Sequence, residues 1–250
     1  MRCKMVTLIF SPLYRALPIG AAVHPAFIKV VFCLFLQVMD ANQTFKSSYC
    51  GAFTFKFFVV GEWREVVVDD RLPTLQDRRP LFVRSGDENE FWPCLLEKAF
   101  AKIYGFYSGL NGGSIIQAAK YFGAVSERFE VKGSKYPNGL EPEYAKERVL
   151  EALRLGSLCS TGTENDDKIG SLYGLPSGHA YTITGGTEEQ VQVRNPWGDS
   201  TEWTKQTSAP DGEFWILWDD FFTHFHEVRN FFRPSARFMK IQRRFVTKVS

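Results

Sequence analysis

From Gly51 to Val60 the phenylalanines Phe53, Phe55 and Phe57 alternate with Ala52, Thr54 and Lys56, the two-residue period of a strand with one apolar face. Gly61-Glu62 is placed to close a two-residue turn with glycine first, so that Trp63 to Asp69 becomes the returning strand of a hairpin. Asp87 and Glu90 then have capping-box spacing, and Phe91, Leu95, Ala99 and Ile103 recur every fourth residue along one helical face. Pro93 fits that helix, because amides of a first turn have no acceptor within the helix to lose. A second short helix is expected from a Ser114 cap to Phe122, after the break at Gly112-Gly113. A third runs from Pro142 to Leu155 and stops at Gly156.

Beyond Gly156 the pattern changes to short strands: Ser157 to Thr161, His179 to Thr184, Gln190 to Arg194 and Glu213 to Leu217, separated by glycine-rich or polar turns. Helices in the first half and mainly antiparallel strands in the second predict an α+β architecture with a seam near Phe122 to Ser126. Clefts form at such seams.

Composition narrows this little. The 250 residues, 44% hydrophobic and 23% charged, are those of a folded protein and suit one large domain or two small ones. A net charge of +2 gives no footprint of a nucleic-acid partner. Five cysteines, Cys3, Cys33, Cys50, Cys94 and Cys159, are odd in number and lack a CxxC pair, which argues against a disulfide framework or a zinc site and for a reducing, cytoplasmic setting. The apolar stretch from Ala26 to Val38 is interrupted by Lys29 and falls short of the ~20 residues of a membrane helix. It lacks a small-residue cleavage site as well.

The candidate chemistry lies in the strand-rich half. His179 follows Gly178 at a strand start, and Asn195 follows sixteen residues later in Arg194-Asn195-Pro196-Trp197-Gly198. If the two strands pair through a turn at Gly185-Gly186, the asparagine side chain accepts from one imidazole nitrogen and leaves the other for proton transfer. Trp197 would shield that contact from water. Taken alone, His179 reads better as an ordinary strand histidine and Asn195-Pro196 as an ordinary turn.

These segments, with others in the same order, resemble the calpain family of papain-like cysteine proteases. The matching runs are Tyr49 to Phe53, Gly61 to Trp63, Val67 to Thr74, Asn89 to Trp92 and Leu96 to Lys102, then Gly178 to Tyr181, Arg194 to Gly198 and Asp211 to Trp215. The resemblance covers roughly Val38 to Phe232. It implies a protease core of two subdomains, with residues 38–123 a partial, mainly helical first subdomain and 124–232 an antiparallel β second one, the active site lying between them. Residues 1–37 are an unmatched apolar segment and 233–250 a basic tail or the stub of a following domain.

By resemblance His179 is the general base, Asn195 orients it and Trp197 supports them. The nucleophile has no counterpart. The family's cysteine stands in a Gly-Asp-Cys-Trp run about twenty residues before Asn42-Gln43-Thr44-Phe45, with an upstream glutamine for the oxyanion, whereas this chain reads Leu17-Pro18-Ile19-Gly20-Ala21-Ala22 there. Cys33, among Val31, Phe32, Leu34 and Phe35, has the apolar setting of an inert thiol, and Cys50, Cys94 and Cys159 fall at positions that are not catalytic in the family.

The resemblance also implies calcium, with Glu90 a ligand in the first subdomain and Glu202, Asp211 and Glu213 ligands in the second; carboxylate oxygens suit that hard cation. Only Thr204 to Pro210 separates Trp203 from Asp211, where the family has a longer stretch with a further acidic ligand. From Val228 to Ser250 seven basic residues and no acidic one stand among Phe231, Phe232, Phe238 and Phe245. Such a tail suits anionic lipid or RNA, but a stub of another domain is preferred, so a membrane role is disfavoured and no nucleic-acid partner is expected.

Two readings follow. The first is a calpain-type, calcium-dependent cysteine endopeptidase acting on polypeptides, truncated or inactive for want of its cysteine, with further calpain domains or a regulatory subunit as partners. The second is a non-catalytic calpain-like protein that binds calcium or another protein. A tryptophan-rich carbohydrate-binding module is a third class, but most of the tryptophans fall within the matched runs.

Overall fold

The computed structural model describes residues 38–39, 43–45, 49–83, 90–110, 115–133, 136–163, 174–195 and 212–232, which divide into two compact units between Val125 and Ser126. The predicted Asp87 and Ser114 caps, Trp197, Glu202, Asp211, Cys3, Cys33 and residues 233–250 lie outside the described residues.

The first unit is built on an antiparallel hairpin, β1 (Ala52–Val59) and β2 (Glu62–Asp69), followed by helix α1 (Trp92–Tyr104), a single 3-10 turn (Tyr107–Leu110) and helix α2 (Ile115–Tyr121). The alternation predicted for β1 is observed. Phe53, Phe55 and Phe57 are buried on one face, and the Phe57 ring lies 5.6 Å from both Phe100 of α1 and Phe122. Gln43 extends the hairpin as a strand would: its Oε1 accepts from Thr54 N at 2.5 Å, and its Nε2 donates to Thr54 O at 2.8 Å.

The turn is not the expected one. Val59 pairs with Glu62, so the two-residue loop is Val60-Gly61, with φ of 49° and 84°. Positive φ at both central residues is the primed turn that matches strand twist. This register sets Phe58 against Trp63, ring centroids 5.6 Å apart, a cross-strand aromatic pair that a turn at Gly61-Glu62 would forgo.

Helix α1 also departs from its predicted start. Its N-cap is Phe91, which makes no side-chain cap, and Glu90 precedes it. Phe91 stays exposed, and the buried surface is the broader set Leu95, Leu96, Ala99 and Phe100. Tertiary contacts fix the helix instead. Lys98 donates to Asp69 Oδ1 and Arg71 O, each at 2.6 Å, and Lys102 to Val67 O at 2.7 Å. The buried Glu97 accepts from Val83 N at 2.9 Å, while the Cys94 thiol donates to Val83 O at 3.0 Å.

The second unit is a six-stranded sheet in the order β3-β8-β4-β5-β6-β7, formed by β3 (Val125–Glu130), β4 (Leu158–Gly162), β5 (Ala180–Gly186), β6 (Gln190–Arg194), β7 (Glu213–Leu217) and β8 (Glu227–Phe232). Every pairing from β8 through β4, β5 and β6 to β7 is antiparallel. Helices α3 (Pro142–Arg154) and α4 (Trp218–His224) supply the apolar cover, with Val149, Leu153, Trp218 and Phe221 packed on Tyr181, Ile183, Val193 and Phe214.

The stop at Gly156 is observed with its mechanism. Gly156 takes φ of 78°, its N–H donates to Leu153 O at 2.9 Å, and Ser157 N donates to Ala152 O at 2.8 Å. That double bond pattern satisfies the last carbonyls of the helix. Gly185-Gly186, expected to be a turn, instead ends β5, and the reversal comes at Thr187 to Glu189, where Thr187 N donates to Gln190 O at 2.7 Å. Side-chain ends lie close to both glycines. A Cβ on Gly186 would come within 2.9 Å of Leu150 Cδ2, and one on Gly185 within 2.9 Å of Gln192 Oε1.

Val228 to Phe232, where the run of basic residues begins, lies within the sheet. It forms most of β8, inserted between β3 and β4, with Val228, Asn230 and Phe231 buried. Arg229 is paired with Glu227 rather than free for a surface.

Candidate active site

Strand topology brings the two candidate catalytic residues to one end of neighbouring strands. His179 immediately precedes β5 and Asn195 immediately follows β6; because these strands are antiparallel, with Thr182 facing Arg194, the start of one lies beside the finish of the other. His179 Nε2 and Asn195 Oδ1 are 2.9 Å apart, and both residues are buried, at 5% and 0% exposure.

The chemistry of the pair fixes the tautomer. An amide oxygen only accepts, so Nε2 carries the proton and donates it, leaving Nδ1 as the basic nitrogen of the neutral ring. In a buried setting such a hydrogen bond is electrostatically stronger than an exposed one. The imidazole also packs T-shaped with the Tyr181 ring, with centroids 5.0 Å apart and planes at 84°.

The backbone on each side is held as well. Asn195 N donates to Gly212 O at 2.9 Å, tying the orienting residue to the segment that leads into β7. Thr163, the residue after β4, holds the other side: its N–H donates to His179 O at 2.8 Å and its Oγ1 accepts from His179 N at 2.9 Å. Gly162 permits this approach, since a Cβ there would already lie 3.3 Å from His179 O. Thr163 was not singled out from the sequence. A threonine at a strand end carries no local signal, and its contact is sixteen residues distant.

The described thiols differ in character. Burial pushes the Cys159 thiol up to about 12, and burial with the nearby Glu97 carboxylate pushes Cys94 up to about 11. Neither is a thiolate near neutrality, and the thiolate is the nucleophile of cysteine chemistry. Cys50 is exposed, next to β1.

Of the four carboxylates expected to hold calcium, two are described. Glu90 stands before α1 in the first unit; Glu213 opens β7 in the second, as the register partner of Arg194. Among the described residues no group of three or more His, Cys, Asp or Glu side chains comes together. The described carboxylates alone therefore do not make the six to eight oxygen ligands that calcium takes. Among the described residues no helix is long and apolar enough to cross a membrane.

Comparison with known proteins gives a consistent picture. A family model described as calpain family cysteine protease matches residues 27–210. Calpain-9 of Rattus norvegicus is 40% identical over 225 residues, covering 77% of this chain and 31% of that protein. The calpain-2 catalytic subunit of Homo sapiens is 38% identical with the same coverage, and calpain clp-4 of Caenorhabditis elegans is 34% identical over 228 residues. The chain thus spans about a third of the length of these relatives.

Proposed function

Because this chain belongs to the calpain family of cysteine proteases, we propose that it carries the base-and-orienter half of a calpain-type endopeptidase site. The observation that supports this is the buried bond between His179 Nε2 and Asn195 Oδ1 at 2.9 Å. In the reaction His179 Nδ1 takes the proton of an attacking thiol and returns it to the leaving amine. Asn195 holds the ring in register through both transfers and stabilises the imidazolium between them. Trp197, two residues on, is the group proposed to keep water from the pair.

Cys94 and Cys159 are unsuited to be that thiol, for the burial given above, and no cysteine stands in the Gly-Asp-Cys-Trp context. The chain by itself is therefore proposed to cleave no peptide bonds. That same observation favours a second reading, a calpain-like protein that binds polypeptides or calcium without cutting. Glu90, Glu202, Asp211 and Glu213 are the residues proposed to take calcium, an ion that would draw together carboxylates that otherwise repel. A cytoplasmic setting is in keeping with the free thiols of Cys50, Cys94 and Cys159. Polypeptide substrates, further calpain domains and a regulatory subunit are the partners proposed.

The test is hydrolysis of a fluorogenic peptide with and without calcium, alongside labelling by a thiol-directed epoxide read by mass spectrometry. The proposal expects no turnover and no stoichiometric label on Cys94 or Cys159. Turnover that is abolished by both H179A and N195A, with a label on one cysteine, would show a nucleophile that the sequence conceals. Calorimetry with calcium, on wild type and E213Q, separates the binding reading from loss of both activities.

A further inference from the structure

We infer that Thr163 is a positioning residue for His179: its hydroxyl clamps the turn at residues 176–179 so that the imidazole meets Asn195. This deepens the reading of His179 as the general base and rests on it. The β4–β5 ladder ends at the pair Gly162 and Ala180. The next pair in that register is Thr163 and His179, which keeps one ladder bond, from Thr163 N to His179 O at 2.8 Å, while His179 N is held by the Thr163 side chain at 2.9 Å.

The Thr163 hydroxyl adds to that ladder bond. Its Oγ1 lies 2.6 Å from Pro176 O, 2.9 Å from His179 N and 3.2 Å from His179 O. A hydroxyl has one proton and two lone pairs. The shortest contact takes the proton, so Thr163 donates to Pro176 O and accepts from His179 N. Together with the Thr163 N–H on His179 O at 2.8 Å, one residue satisfies both backbone groups of His179 and the carbonyl three positions earlier. Between them Gly178, at φ of 57°, makes the tight bend.

The consequence for the imidazole is geometric. At 2.9 Å the Nε2–Oδ1 bond sits at the usual optimum, and a backbone displacement of about 1 Å exceeds the range in which such a bond is counted at all. Valine has threonine's shape without its donor and acceptor, so T163V keeps the packing and removes only the clamp. T163S keeps the clamp and removes a methyl group.

The experiment reads the His179 ring proton directly, on the isotope-labelled full chain, by long-range proton–nitrogen spectra near neutral pH. Wild type is expected to show a His179 Nε2–H resonance protected from exchange. T163V should lose it or speed its exchange by about tenfold, the protection of one ordinary buried hydrogen bond, while T163S exchanges at a rate close to wild type. V191A, which destabilises the same sheet at a core position away from the pair, should leave the resonance in place, so that a general loss of stability is told apart from lost positioning. Wild-type exchange in T163V, or loss in T163S, overturns the inference. Should T163V not fold, the wild-type His179 amide decides: exchange as slow as the β5 core amides supports the clamp, and exchange as fast as an exposed loop amide overturns it. None of these readouts needs a thiol nucleophile, so absence of peptidase turnover leaves them unaffected.

Discussion

Replacing Asn195 by alanine removes the acceptor for a proton on a ring that is only 5% exposed. A buried donor left unpaired costs about 1–3 kcal/mol, and the void where the carboxamide stood adds about 1 kcal/mol. H179A removes the converse group, the ring donor to Asn195 Oδ1 in a residue with no exposed surface. The double variant H179A/N195A removes donor and acceptor together, so it should be more stable than the sum of the single losses predicts. The expected coupling is about 1–2 kcal/mol, within the 0.5–3 kcal/mol found for residues in direct contact. Urea unfolding followed by tryptophan fluorescence measures it, since Trp218 lies in the core that β5 and β6 share. A coupling below about 0.3 kcal/mol, the scatter of independent sites, would refute a working hydrogen bond between the two residues.

Three further outcomes are expected. Val60 sits at φ of 49° and is 89% exposed; a non-glycine residue pays about 1–2 kcal/mol in that left-handed region, so V60N should raise the unfolding free energy measured in urea by about 1 kcal/mol, and a loss would refute the primed turn. Iodoacetamide should alkylate Cys50 in the native chain but reach Cys94 and Cys159 only after unfolding. Because the Cys159 thiol is raised from 9.0 to about 12 in the fold, its contribution is complete below pH 9 and is lost as pH rises toward 12, so native stability should fall through that alkaline window more steeply in wild type than in C159A. The bond from Lys98 holds the Asp69 carboxyl below its ordinary 3.8; its contribution is therefore present above that value and lost as pH falls through the folded one, and D69N should be less stable than wild type at neutral pH but converge with it in acid.

Much of the candidate site was legible because its parts are local. A histidine at a strand start and an asparagine sixteen residues on, at the end of the next strand, place themselves together once antiparallel pairing is assumed, and the observed distance is a hydrogen bond. The remainder was not local. Thr163 acts across the same sequence gap but without a motif to announce it, and Glu97 of α1 reaches back to Val83 from a position that reads as surface charge.

The same division runs through the fold. The inward face of β1, the extents of β6 and β7 and the stop of α3 at Gly156 follow from local pattern, because side-chain period and the left-handed freedom of glycine are properties of a few adjacent residues. Long-range contacts instead set the hairpin turn at Val60-Gly61, carry β5 on through Gly185-Gly186, and make Val228 to Phe232 an inner strand between β3 and β4. Those choices depend on which distant side chain or strand edge is available as a partner, and the energy that selects among partners comes from cross-strand pairing and burial, which no short window of sequence contains.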